Sequence, residues 1–70
     1  MTTVRNDDVV ACRHVQDDRY NITQRRGRRL VFLEGPFPKD VAEIRLIDLA
    51  NEFEAAAWIE EAPGVFRRVS

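Results

Sequence analysis

The sequence predicts an α+β domain: a mostly antiparallel sheet of four to five strands with one helix packed on it. Three observations carry that expectation. Short β-branched segments recur between turn residues, one segment has helix start and stop signals, and 70 residues leave room for a single two-layer unit. Residues 1–7 are polar and without periodicity, and are expected to fray. Asp8–His14 holds Val9, Val10, Ala11 and Cys12, a strand composition. Gln16-Asp17-Asp18 reads as a turn. Arg19–Arg25 alternates Tyr20 and Ile22 against Asn21 and Thr23, the period of a half-buried strand.

Arg26-Gly27 suits a tight turn, because glycine accepts the positive φ of hairpin connections. Arg28–Glu34 follows, with Leu30-Val31-Phe32-Leu33 apolar on both faces, as a central strand would be. Gly35-Pro36-Phe37-Pro38 should stop it, since proline donates no ladder bond. Val41–Leu49 alternates Ala42, Ile44 and Leu46 against Glu43 and Arg45, predicting a fourth strand. Asn51 as N-cap and Glu54 three positions on predict a helix reaching Glu60 or Glu61, ended by Pro63-Gly64. Val65–Val69 would close the order β-β-β-β-α-β. The candidate core is Leu30, Phe32, Ile44, Leu46 and Phe53.

The composition narrows the function classes. Residues 1–70 make one small domain, and 44% hydrophobic against 33% charged residues is globular rather than disordered. The longest apolar run is Ala55–Ile59, far short of the roughly 18 residues of a membrane span. No apolar leader follows Met1, which with the single cysteine predicts a cytoplasmic protein. One cysteine and one histidine predict neither a disulfide framework nor a zinc centre, and no cofactor motif is present. A net charge of −1 speaks against a dedicated nucleic-acid binder. The charge is unevenly spread: +2 over residues 1–35 and −3 over residues 36–70.

Two features predict partners. The expected helix carries two apolar faces, Phe53, Ala56 and Ala57 on one and Ala55, Trp58, Ile59 and Ala62 on the other. One sheet can bury only one of them. The second is then covered either by the chain's own loops or by another protein, with Trp58 as anchor of a homodimer. Arg25, Arg26, Arg28 and Arg29 crowd one hairpin tip. They serve as a solubility device, as a grip on an acidic protein, or as a phosphate contact to nucleic acid.

Catalytic chemistry is thinly represented. Cys12 and His14 share a strand face, but Cys12 sits among apolar residues and no third orienting group is evident. Gly35-Pro36-Phe37 lacks P-loop spacing, and Asp7-Asp8 and Asp17-Asp18 supply too few oxygens for calcium. Asn21-Ile22-Thr23 matches a glycosylation acceptor, but carries no weight without a secretion signal. No catalytic, cofactor or metal residue is assigned.

Glu34-Gly35-Pro36-Phe37, Ile44–Asp48, Glu54–Ile59 and Pro63 together resemble the C-terminal half of YCII-related domains. The resemblance spans residues 32–63. It implies a dimeric α+β sheet of the ferredoxin-like kind, and a small ligand-binding protein or enzyme. The gap after the turn is shorter here, strands replace the family's N-terminal strand–helix unit, and its site residues have no counterpart. The expected function is therefore a small non-enzymatic protein-binding module, a regulator or inhibitor that self-associates. A nucleic-acid module using Arg25–Arg29 and a YCII-like ligand binder stand behind it.

Overall fold

The structure is a computed structural model that describes residues 4–70. It has five strands and one helix: β1 (Val9–His14), β2 (Arg19–Arg26), β3 (Arg29–Phe37), α1 (Lys39–Glu52), β4 (Ala57–Ala62) and β5 (Val65–Arg68). The sheet order is β3-β2-β1-β4-β5. The β1–β4 pair is parallel and the other three pairs are antiparallel. The α+β class and mostly antiparallel sheet are as the sequence predicts. The element order is not: the chain runs β-β-β-α-β-β.

The exchange of the fourth strand and the helix has a physical reason. Ala42, Leu46, Leu49 and Ala50 are buried at i, i+4, i+7 and i+8, one stripe of a helix. Pro38 fixes the entry to α1, and Asp40 lies favourably in its first turn. The apparent alternation of Ile44 and Leu46 is incidental, because Ile44 faces solvent. The helix ends where another was expected to begin. Glu54 adopts φ 54°, its N–H donates to the Asn51 carbonyl at 3.2 Å, and the Ala55 N–H donates to the Ala50 carbonyl at 2.8 Å. That is a Schellman ending, with glutamate in the position glycine usually takes. Ala57-Trp58-Ile59 then pairs with Val9-Val10-Ala11, and sheet pairing overrides its helix propensity.

Strand β3 also continues through the expected stop. The ladder to β2 bulges between Phe32 and Glu34, Gly35 takes φ 125°, and Pro36 sits on the sheet's edge, where a missing N–H is tolerated. Gly35 has no substitute there. A Cβ would lie 2.8 Å from Asn21 Oδ1 and 2.9 Å from the Tyr20 carbonyl oxygen.

The core lies between α1 and one face of the sheet. Val9, Ala11, Tyr20, Ile22, Ala57 and Ile59 from the strands meet Ala42, Leu46, Leu49 and Ala50. Of the candidate core only Leu46 belongs to it; Leu30, Phe32, Ile44 and Phe53 are exposed. Val4–Asp7, expected to fray, are tied to β2. The Asp7 N–H donates to the Arg25 carbonyl at 2.7 Å, and Arg25 Nη1 donates to the Val4 carbonyl at 2.6 Å. The same expectation for residues 1–3 lies outside the described residues.

Candidate partner-binding face

One helix covers one face of a five-stranded sheet, and among the described residues no second layer covers the other face. Strand alternation assigns its residues. Val10 lies between Thr23 and Trp58, Cys12 pairs with Asn21, Thr23 pairs with Phe32, and Trp58 pairs with Arg68. The centre of this face is closed. Trp58 is buried, and its Nε1–H donates to Asp8 Oδ2 at 2.9 Å. The Arg5 backbone N–H donates to the same oxygen at 2.9 Å. Asp8 is therefore a buried acceptor for the indole rather than half of a cation site. Thr23 Oγ1 donates to the Val10 carbonyl at 3.2 Å.

Around that centre apolar side chains reach solvent. Leu30 is 52% exposed, Phe32 57% and Phe66 37%. Val4, Val10, Leu30 and Phe66 floor a cleft of about 230 Å³, and Arg25, Arg28 and Arg29 stand at its hairpin end. The hairpin turns as predicted, with Arg26 paired to Arg29 and Gly27 at φ 64°.

Seven of the arginines divide by face. Arg13, Arg45 and Arg67 lie on the helix side and are paired with Asp18, with Glu34 and Asp48, and with Glu61. Arg25, Arg28, Arg29 and Arg68, on or beside the open face, pair with no carboxylate among the described residues. Arg25 is held by carbonyls instead, and Arg68 Nε donates to the Ser70 carbonyl at 2.9 Å. The open face is thus apolar at its floor and positive at its rim.

Of the predicted site residues, Arg25, Arg28 and Arg29 come together at the cleft. Arg26 turns away and donates to Gln24 Oε1 at 3.0 Å. Trp58, Ile59, Ala55 and Ala62 do not form a helix face. Trp58 and Ile59 are buried on opposite faces of β4, Ala55 is half-buried in the turn after α1, and Ala62 is exposed at the end of β4. The geometric basis for a dimer anchored by Trp58 is therefore absent. Sequence reasoning missed Leu30, Phe32 and Phe66 as surface residues. The available signal was an apolar run preceded by two arginine pairs in a domain with only one helix to cover its sheet.

The thiol–imidazole pair does not assemble. Cys12 Sγ lies 3.7 Å from Thr23 Oγ1, while His14 Nε2 lies 2.6 Å from Asn21 Nδ2. Burial pushes the Cys12 thiol up, Glu60 adds to that, and the Thr23 hydroxyl opposes it. The result disfavours a nucleophilic thiolate. A second hollow, about 330 Å³, lies beside Tyr20, Lys39 and Glu60. Its charges are largely neutralised: Arg13 meets Asp18, Arg67 meets Glu61, and Glu60 accepts from the N–H groups of Arg13 and Gly64. Among the described residues there is no cluster of three or more His, Cys, Asp or Glu side chains fit to hold a metal, and no helix long and apolar enough to cross a membrane.

The segments behind the YCII resemblance adopt other structures here, with Ile44–Asp48 in α1 and Glu54–Ile59 in a turn and β4. No protein-family model, curated protein or solved structure matches the chain.

Proposed function

We propose that the protein is a non-enzymatic binding module, acting as a regulator or inhibitor, that takes an acidic segment of a protein partner on its open sheet face. The observation that carries this reading is the apolar cleft with unpaired arginines at one end. A volume of about 230 Å³ suits one large apolar side chain. Carboxylates flanking that anchor would meet guanidinium forks presented at the hairpin end of the cleft. The cleft falls below the ~300–1,000 Å³ usual for small-ligand sites, and the larger hollow, about 330 Å³, has most of its charges already engaged with one another, which counts against a YCII-like ligand binder. A cytoplasmic setting accompanies the reading, supported by the free thiol of Cys12.

Exposed Phe32 beside the same arginines supports a second reading, single-stranded nucleic acid stacked on the sheet. One titration separates the two. Amide chemical shifts are followed as a peptide of alternating Asp and Glu with a central Phe is added, and separately a thymidine homopolymer. The protein reading expects peptide-induced shifts at Val10, Leu30 and Phe66. Arg28→Glu with Arg29→Glu should abolish them while leaving the amide spectrum folded. Tighter binding of the homopolymer than of the peptide would transfer the site to nucleic acid.

A further inference from the structure

We infer that the acidic segment taken by the open sheet face is helix α1 of a second copy of this chain, so that copies stack head to tail. The inference rests on the reading of that face proposed above and names its partner. α1 has two apolar sides. Ala42, Leu46, Leu49 and Ala50 are buried against the sheet, while Val41, Ile44 and Ile47 form an outer stripe, with Ile44 63% exposed. In helical projection Ile44 lies opposite the buried stripe, Asp40 falls between Ile44 and Ile47, and Glu43 falls beside Ile47. Neither Asp40 nor Glu43 forms a salt bridge among the described residues. The outer side of α1 is apolar with unengaged carboxylates; the open sheet face is apolar with unengaged arginines.

Charge and spacing together select a second copy as the occupant. The pairings Arg26 to Arg29, Val9 to Gln24, Val9 to Ala57 and Trp58 to Arg68 bring the arginine hairpin and Arg68 to one end of the sheet. Leu30, Phe32 and Phe66 follow along the strands from that end. From Arg29 to Phe32 is three strand positions, about 10 Å. From Asp40 to Ile47 is seven helix positions, again about 10 Å. Laid along the strands with its first turns at the arginine end, the partner's α1 meets both halves of the face at once. It sets Asp40 and Glu43 of the partner subunit on Arg28 and Arg29, and Ile44 and Ile47 of the partner subunit between Phe32 and Phe66. There is room for it. Phe32 on β3 and Phe66 on β5 stand at opposite edges, four strand spacings or about 19 Å apart, and a helix is about 10 Å across. The two docking faces look in opposite directions, so two copies cannot reciprocate the contact. The interface is heterologous, and growth continues past a pair.

The test is sedimentation of the ligand-free chain from micromolar to millimolar concentration, with circular dichroism to check folding. The wild type should pass from 8.1 kDa to species larger than a dimer as concentration rises. Ile44→Lys blocks the helix face, and Arg28→Glu with Arg29→Glu blocks the sheet face, all at exposed positions. Each blocked chain alone should stay monomeric. Their equal mixture should stop at one of each, about twice 8.1 kDa, because a single complementary pair of faces remains. Phe32→Lys takes the place of the double variant if that chain does not fold. A wild type that stays monomeric overturns the inference. So does assembly that persists in either blocked chain alone, which is the mark of a symmetric contact, or a mixture that stays monomeric. If the acidic peptide still shifts Val10, Leu30 and Phe66 in that event, the proposed binding face stands and only its occupant is wrong; if the peptide fails as well, both readings fall.

Discussion

At Leu46 and Phe32 the cost of losing a side chain is set by which side of the sheet the residue meets. Leu46 has no exposed surface and packs under α1 against β1 and β2, whereas Phe32 projects from the uncovered face. Leu46→Ala should cost about 2–5 kcal/mol, from lost transfer energy and the cavity left behind. That is enough to unfold much of a domain this small. Phe32→Ala should change stability by about 0.5 kcal/mol or less. Urea midpoints of the two variants check the pair, and a larger loss for Phe32→Ala would mean that the sheet faces are reversed. Trp58 shows the same logic in a polar setting. Its burial is tolerated because the indole N–H finds the Asp8 carboxylate, which in turn takes the Arg5 N–H.

Elements are governed by where the chain changes period, and here the end of α1 is the informative junction. Glu54 pays for a left-handed backbone with no side-chain hydrogen bond among the described residues in return. Glu54→Gly should therefore raise stability by about 0.5–1 kcal/mol, read as a higher urea midpoint with an unchanged slope. The junction also explains what the sequence could and could not disclose. The β1–β2–β3 meander was legible from alternation and the Arg26-Gly27 turn, because those signals are local. The helix and β4 were exchanged because β-branched Val41, Ile44 and Ile47 stand on the exposed side of α1, whereas Ala55-Ala56-Ala57 enters a strand. Glu54 looked like a capping residue and is instead the residue at which the helix stops. Tertiary pairing with β1 decided both segments, and no local propensity encodes it.

A single ion pair fastens α1 to β3. Arg45 grips Glu34 with both prongs of its guanidinium, at 2.9 and 2.6 Å. The hydrogen bonds from Arg45 hold the Glu34 carboxyl below its usual range; burial opposes them, and the guanidinium charge adds a lesser lowering effect. A carboxyl lowered by folding stabilises the protein above its unfolded pKa, about 4.3, and loses that contribution as pH falls through the lower folded value. Wild type should thus exceed Glu34→Gln in urea midpoint at neutral pH, and the gap should close as pH falls through the lowered folded value. A gap that persists in acid would assign the effect to packing. Both side chains are partly exposed, so the difference is small and shrinks with salt.

For the whole molecule, the decisive property is the separation of charge between its two faces. Arg13, Arg45 and Arg67 on the helix side are neutralised by carboxylates, whereas Arg25, Arg28, Arg29 and Arg68, on or beside the open face, meet none among the described residues. A chain of net charge −1 consequently presents a locally positive surface. The arginine cluster was legible as a candidate site, because a hairpin tip is a local feature. The apolar floor was not, because Val4 and Val10, Leu30, and Phe66 come from three separate stretches of chain. The acidic peptide of the proposed function should bind more weakly as salt is added, since its contacts to Arg28 and Arg29 are solvent-facing.

The parallel pairing of Val9-Val10-Ala11 with Ala57-Trp58-Ile59 also orders events during synthesis. Strand β1 takes the middle of the sheet, yet its neighbour β4 is made much later, Ala57 following its partner Val9 by 48 positions. Until then the nascent meander carries a bare apolar edge along β1, ready to join any other unfinished chain. Closing so long a loop is slow compared with forming the hairpins. The growing polypeptide therefore passes through a window of vulnerability that ends only when β4 emerges, and a chaperone on that edge would cover it until then.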